Sequence, residues 1–508
     1  MMIEYQPLNL YQNYASATAK YPDQAIILDQ TLAAFPELSR ESTYRDSLKL
    51  IQKRAFQLAA SGLKANDKII LFKAPDFDTY LLAVAASYLG AIPVMISYHF
   101  PATTIDVFIE RLEQPYILFD ESTAMVCQHL VNCPNTKKLY LPDLLHQPAL
   151  FTPQVTLAPD QISYMTHTSG TTGIPKLICH SAQSMGWRTK WQQLIFSKIA
   201  QRELLAFHIS PVHSRYNIGV SSAMSLGFPL MPLSQSDEQS VIHMLKTFKP
   251  IALETHPNHF VQWSFFAHKN ADAFQSIRYY HSTFDAINNQ TMQRFLEVGA
   301  LQALFLQVYG QSECGPMILK KHTLDSLPSN DARDMGIGLE DLTQARITDA
   351  QGNVLPANQD GHIQFLSKGR ALTYYKEDTR FQENVYQEWW DSGDYGYMDA
   401  YGHLFLKDRQ VDLIENIDSN LALEDYLLDS LSFLEEVVIV RNQHHAQPIL
   451  VVAPNQEIDW NAWWQAIADL PHLNQPILKK SEEVPRTATM KVQRLKIEQD
   501  LLAQINNQ

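Results

Sequence analysis

The residues best suited to chemistry stand together in one loop: Thr166-His167-Thr168-Ser169-Gly170-Thr171-Thr172-Gly173-Ile174-Pro175-Lys176. Gly170 and Gly173 let the backbone turn tightly and bring N–H groups to an anion. The hydroxyls of Thr168, Ser169, Thr171 and Thr172 can donate to phosphate oxygens, and Lys176 closes the segment with a cation. A β-like run at 161–165 leads in. The G-x-x-x-x-G-K-[ST] spacing of the common phosphate loop is absent, so a different cradle is expected. The plainer alternative is a Ser/Thr/Gly surface turn, and the density of the pattern speaks against it.

Two later segments offer complementary groups. In Tyr309-Gly310-Gln311-Ser312-Glu313 an aromatic can stack on adenine, a hydroxyl can bond the α-phosphate and a carboxylate can hold Mg²⁺. In Trp390-Asp391-Ser392-Gly393-Asp394 the last carboxylate can accept from two vicinal ribose hydroxyls. Taken alone, Asp394 and Arg409 read as a surface ion pair.

Together these segments resemble the adenylate-forming enzymes: acyl-CoA synthetases, adenylation domains of nonribosomal peptide synthetases, and firefly luciferase. Ser169-Gly170-Thr171-Thr172-Gly173-x-Pro175-Lys176 is similar to their signature loop, with Leu177 where glycine is usual. Tyr309 to Glu313 resembles Y-G-x-T-E, Asp394 ends a T-G-D-like motif, and Asp408-Arg409-Gln410-Val411-Asp412 resembles G-R-x-x-D. Pro485-Arg486-Thr487-Ala488-Thr489-Met490-Lys491 resembles P-R-T-x-x-G-K, with Met490 for glycine. Ser42-Thr43-Tyr44 and Gly90-Ala91 extend the resemblance toward the N-terminus.

The resemblance implies ATP as co-substrate and Mg²⁺ as cofactor, with Glu313 and Thr168 as metal-holding candidates. It implies nucleotide contacts from Ser169, Gly170, Thr171, Thr172, Gly173, Lys176, Asp285, Tyr309, Gly310, Asp394 and Arg409. Ser312, Thr168 and Glu313 join Lys491 as catalytic candidates. Lys491 is expected to bridge the acid and the α-phosphate, where negative charge builds as pyrophosphate leaves. A solvated basic stretch is the plainer reading of its surroundings. The implied fold is a large α/β N-terminal domain, 1–407, with a small mobile α+β lid, 408–508, that gates two chemistries.

The resemblance also places the acid. His213 and Gly219 fall in a P-x-H…G segment that lines the acyl pocket, and His281 opens the segment His281-Ser282-Thr283-Phe284-Asp285-Ala286 beside it. His213 reads equally as a packing histidine. Arg215 either meets a second substrate carboxylate or faces solvent. The aspartate that holds an amino acid's α-amino group is missing, so a fatty or other simple carboxylic acid is expected.

The departures fall on the second half-reaction. Val411 stands at the hinge position, and Glu415 and Asp418 replace a lysine and a glycine beside the thiol path. The expected acceptor is a phosphopantetheine thiol, leaning to a carrier protein over free CoA. A basic face of Lys479, Lys480, Arg486, Arg494 and Lys496 would dock an acidic carrier. A non-catalytic nucleotide-binding relic of the fold is the alternative from another class, and the retained Lys491 argues against it.

These groups need a scaffold of some size. A chain of 508 residues exceeds one hydrophobic core, and 45% hydrophobic with 19% charged residues is ordinary globular composition. A net charge of -14 gives no whole-chain attraction to nucleic acid or anionic membrane. Residues 80–99 are uncharged, but Gly90 and Pro93 favour a buried helix and strand over a membrane span. The start of the chain lacks a signal-peptide pattern, and four cysteines without zinc spacing suit a reducing cytoplasm. Periodicity predicts a helix at 43–63, a strand at 68–72, a helix at 76–89 and a strand at 92–96. Short strands follow at 362–366 and 404–407. The lid is expected to hold helices near 423–434, 460–467 and 491–505, with strands at 437–440 and 449–452.

Overall fold

The structure is a computed structural model. It describes all residues except 1–2, 169–173, 284–286, 340, 444, 488–490 and 507–508, with backbone alone at 283 and 504–506. Near the N-terminus, local signals and structure coincide. Thr43 caps the helix Tyr44–Ala60 by accepting from the Asp46 N–H, and Ile51, Ala55 and Leu58 form its buried stripe. Gly62 ends that segment at φ +97°, a left-handed conformation that glycine adopts without penalty. The strand Lys68–Phe72 follows. The uncharged run becomes the helix Phe77–Tyr88, buried on every face, and the buried strand Ile92–Met95. No described helix is long and apolar enough to cross a membrane.

Three sheets organise the described residues, of fourteen, seven and three strands. In the largest, Leu205–His208, Ala252–Thr255, Tyr279–Thr283 and Leu304–Gln311 lie side by side and parallel. Their C-terminal ends therefore share one edge, where α/β sheets place ligands. The sheet then turns antiparallel through Gly315–His322, Asp334–Gly338, Leu404–Arg409 and Trp389–Met398. In the seven-stranded sheet Ile162–His167 pairs antiparallel with Leu177–Ser181, bracketing the loop at 168–176. The short strand Thr373–Tyr374 adds to the far side of Leu177–Ser181.

Beyond Arg409 a 3₁₀ turn, Gln410–Asp412, leads to a three-stranded sheet with separate apolar clusters around Leu427, Ile439 and Trp463, and around Val440, Val484 and Ile497. Here the elements differ in extent from the sequence reading. The helix runs Asn420–Ser430, set early by Ser419, whose hydroxyl accepts from the Ala422 N–H. The two predicted strands are longer and form one hairpin, Leu434–Asn442 with His445–Val452. The last helix starts at Arg494. Lys491 precedes it because its N–H and carbonyl bond to Thr487 Oγ1 and the Thr487 N–H at 3.2 and 2.8 Å.

Candidate active site

The loop at 168–176 is closed at its base by two hydrogen bonds. The Thr168 N–H donates to the Lys176 carbonyl at 3.0 Å, and the Lys176 N–H to Thr168 Oγ1 at 3.1 Å. Ser169, Gly170, Thr171, Thr172 and Gly173 lie outside the described residues, as does Asp285. Behind the loop, His167 Nε2 accepts from the Ser97 N–H at 3.2 Å while Nδ1 bonds the Thr168 carbonyl at 2.8 Å. Burial lowers its pKa to about 4, so the ring is a neutral strut.

Lys176 points at Tyr374. Its Nζ lies 4.5 Å from the ring centroid and 3.4 Å from the hydroxyl. That hydroxyl donates to Glu313 Oε1 at 2.7 Å. Burial lowers the Lys176 pKa and Glu313 raises it against that trend. The Ser312–Glu313 backbone is gripped from behind by buried Arg188 on the helix Ala182–Phe196. Its guanidinium donates to the carbonyls of Ser312, Glu313 and Gly369 at 2.9, 2.8 and 2.6 Å. A Cβ at Gly315 or Gly369 would stand 2.8 or 2.7 Å from the Arg188 stem, so both positions make room for it. At Gly310 a Cβ would stand 2.2 Å from the Gly315 carbonyl oxygen, and the hairpin closes only with glycine there.

Tyr309 donates its phenol proton to Asp394 Oδ2. Gln311 Nε2 reaches the same carboxylate at 3.1 Å, and Asp394 and Arg409 face each other as a cross-strand pair. Burial raises the Asp394 pKa, while Arg409, Tyr309 and Lys491 oppose the rise. Lys491 is near enough to depress the pKa of His213 and His256 as well. The structure thus links Thr168 and Lys176 to Glu313 through Tyr374, Tyr309 to Asp394 and Arg409, and Lys491 to Asp394, His213 and His256. No group of three or more His, Cys, Asp and Glu forms a metal cage among the described residues. A lone carboxylate such as Glu313 suits Mg²⁺ held chiefly by phosphates and water.

His213 caps the helix Ser214–Ser225, and burial pushes its pKa down to about 3. Next to it opens a cavity of about 550 Å³ between the helices Ala182–Phe196 and Ser214–Ser225 and one face of the parallel strands. Gly219, Val220, Phe207, Tyr279, Leu306 and Val308 line it, with Arg215, Glu254 and His281. Arg215 neither faces solvent nor waits for a substrate carboxylate, because Glu254 holds it in a bidentate pair at 2.7 Å.

Two charge expectations also change. Arg486 pairs with Glu436, Arg494 with Glu424 at 2.6 Å, and Lys496 with Asp500 at 2.6 Å, so the basic face is largely neutralised. Asp418 is bound to Lys407 at 2.7 Å rather than standing as a free carboxylate. Arg188 and Tyr374 are the residues that the sequence reading missed.

Comparison with known proteins gives the family. The AMP-binding enzyme family model matches residues 14–375. A 3-amino-2-hydroxy-4-methoxybenzoate diazotase of Streptomyces cremeus is 32% identical, covering 92% of this chain and 91% of its own. A 4-chlorobenzoate–CoA ligase of an Arthrobacter species is 24% identical over 82% of this chain and 79% of its own. The o-succinylbenzoate CoA synthetase of Bacillus subtilis with a bound acyl-adenylate has the same fold, with a TM-score of 0.81 at 16% identity. That match covers 98% and 99% of the two chains. The chain belongs to the AMP-binding enzymes, the adenylate-forming ligases that use ATP and Mg²⁺ to convert an acid to its adenylate and release pyrophosphate.

Proposed function

We propose that the acid is a substituted aryl carboxylic acid, activated as its acyl-adenylate and then passed to a phosphopantetheine thiol. The carrying observation is the cavity. It is bounded by two helices and a sheet face, and its lining includes Val308 and Arg215, one and two residues from Tyr309 and His213. Its volume of about 550 Å³ suits a compact ring system. Two relatives act, by name, on substituted benzoates. They turn the expected fatty acid toward an aryl one.

In this reading Glu313 would hold Mg²⁺, with Thr168 as its companion, and Lys176 and residues 169–173 would bind the leaving pyrophosphate. Tyr309 faces adenine, Asp394 accepts from the ribose hydroxyls and Arg409 supports that carboxylate. Ser312 bonds the α-phosphate, and Lys491 bridges acid and phosphate as the carboxylate attacks. The small unit beyond Arg409 serves as the lid.

A second reading has its own support. The 32% relative is a diazotase, and the changed residues Val411, Glu415 and Asp418 lie on the thiol path. Diazotisation needs an aryl amine and a nitrosyl donor. The same site would adenylate nitrite, releasing pyrophosphate and leaving O=N–O–AMP. An aryl amine in the cavity would attack the nitrogen, expel AMP and lose water to give the diazonium group.

The purified protein with ATP and Mg²⁺ is offered benzoates, aminobenzoates and alkyl acids, each with CoA, a holo carrier protein or nitrite. The first reading expects acyl-CoA or acyl-carrier from a benzoate. The second expects a diazonium product only with nitrite and an aminobenzoate. Activation of alkyl acids alone would overturn both.

A further inference from the structure

The sheet face of the cavity carries one buried charged cluster, apart from Lys198, Lys320, Lys321 and His403 elsewhere in the lining. Phe207, Glu254, His281 and Leu306 stand in register across four parallel strands, so two polar side chains sit between apolar neighbours on one sheet face. Arg215 comes down from the helix Ser214–Ser225. Its Nε and Nη2 donate to Glu254 Oε1 and Oε2, both at 2.7 Å, and its Nη1 to Gln192 Oε1 at 2.9 Å. His281 Nδ1 lies 3.2 Å from both Arg215 Nη2 and Glu254 Oε2. Burial would raise the Glu254 pKa, but Arg215 and His281 overcome that and hold it at about 2.

A fold has little reason to keep such a cluster for stability. Replacing a buried ion pair with apolar side chains of similar size is often neutral or stabilising. The cluster is also incomplete. If His281 Nδ1 donates to Glu254, Nε2 offers an unused lone pair; if Nδ1 accepts from Arg215, Nε2 carries an unused proton. Either way the buried Nε2 has no partner among the described residues. Such a group costs about 1–3 kcal/mol until something bonds it.

Resting on the aryl reading above, we propose that Glu254, Arg215 and His281 form a recognition subsite for a neutral hydrogen-bonding ring substituent, an amino or hydroxyl group. Glu254 and His281 supply the acceptor and the unsatisfied nitrogen for such a group. A second carboxylate is excluded at this cluster, because both arms of the Arg215 fork already hold Glu254 and a new anion would meet Glu254 at the same place. A chloro or methyl substituent leaves Nε2 unsatisfied.

The test is equilibrium binding by calorimetry to the full-length protein with Mg²⁺ and AMP, a readout independent of the acceptor. Ligands are benzoate, the three aminobenzoates and the three hydroxybenzoates. At least one amino or hydroxy isomer binds at least about tenfold tighter than benzoate. His281→Phe reduces that advantage to less than about threefold. So does Arg215→Leu with Glu254→Leu, which removes both charges together and leaves none unpaired. A tenfold preference that survives both variants, or a wild type that does not discriminate, overturns the subsite alone. Binding of alkyl acids with no arene bound overturns the aryl reading and the subsite with it.

Discussion

Tyr374 is hydrogen-bonded to Glu313, its phenol O–H donating to Oε1 at 2.7 Å, while Lys176 Nζ rests 4.5 Å from the same ring. One side chain thus sets the distance between the metal-binding candidate and the cation of the phosphate loop. Its place comes from strand pairing, Tyr374 standing opposite Ile178. Tyr374→Phe keeps the ring and removes the bond. Hydrogen bonds to charged groups are worth about 1.5–3 kcal/mol, so pyrophosphate release at limiting Mg²⁺ should fall roughly tenfold or more. Raising Mg²⁺ should recover most of the loss, as a titration of rate against Mg²⁺ will show.

Lys491 lies near Asp394, His213 and His256. Lys491→Ala removes the charge that opposes the one growing on the departing pyrophosphate. Adenylation should slow by about 10²–10³-fold, the loss typical of a single electrostatic stabiliser. ATP binding, read by calorimetry, should change little, because the proposed adenine and ribose contacts lie at Tyr309 and Asp394.

Arg188 touches no substrate, yet three carbonyls accept from it. Arg188→Met fills similar space and leaves those of Ser312 and Gly369 without that donor, while Glu313 keeps the Ala371 N–H. Urea unfolding should register a loss of about 2–4 kcal/mol, since each unpaired buried acceptor costs about 1–3 kcal/mol and the loop relaxes in part. Pyrophosphate release should fall too, with KM for ATP rising as Glu313 drifts.

Acid should unfold this protein early. His167, His213 and His322 are buried and held near pKa 4, 3 and 4, against 6.5 when unfolded. His180, His208 and His256 are lowered as well. A depressed histidine pKa means that the unfolded chain binds the extra proton between the two values. Stability is then full above about pH 6.5 and drains away toward pH 4, by about 1.4 kcal/mol per pH unit for each net proton. Asp408, raised to about 7, and Asp425, raised to about 8, act in the opposite sense, losing their contribution as pH rises. Below about pH 6.5 these six histidines take up more protons in the unfolded chain than the two carboxylates hold in the folded one, so urea midpoints should fall from about pH 6.5 to 5. Asp29, Asp76, Asp394, Glu424, Asp429, Glu435 and Glu498, also raised by burial, temper the fall at the acid end.

Much of this architecture is legible from local pattern. Thr43 and Gly62 mark the ends of a helix whose buried stripe is already visible in Ile51, Ala55 and Leu58. Asp394 and Arg409 fall in recognisable motifs, although their contact arises only when two strands pair. Tyr374 carries no such mark, because its meaning depends on a strand almost two hundred residues earlier. Arg188 and Glu254 did leave a signal. Arg188 shares the buried stripe of Met185, Thr189 and Gln192, and Glu254 shares the inward face of Ala252. A charge on an inward face asks for a partner, and only the fold supplies Gly369 for one and Arg215 for the other. Conversely, Arg486, Arg494 and Lys496 of the basic face inferred from the C-terminal sequence are taken up by ion pairs with Glu436, Glu424 and Asp500.

The most direct measurement follows an oxygen atom. The protein turns over ATP with an aryl acid whose carboxylate carries ¹⁸O, and parallel reactions use ¹⁸O-nitrite with an aminobenzoate; the AMP formed is weighed by mass spectrometry. An acyl-adenylate leaves one labelled oxygen on AMP when the acyl group departs, so label arriving from the carboxylate is the expected result. Label arriving from nitrite instead assigns the diazotase reading, with the adenylation chemistry intact. AMP that stays unlabelled in both, or nucleotide released as ADP, would contradict adenylation of an acid at this site.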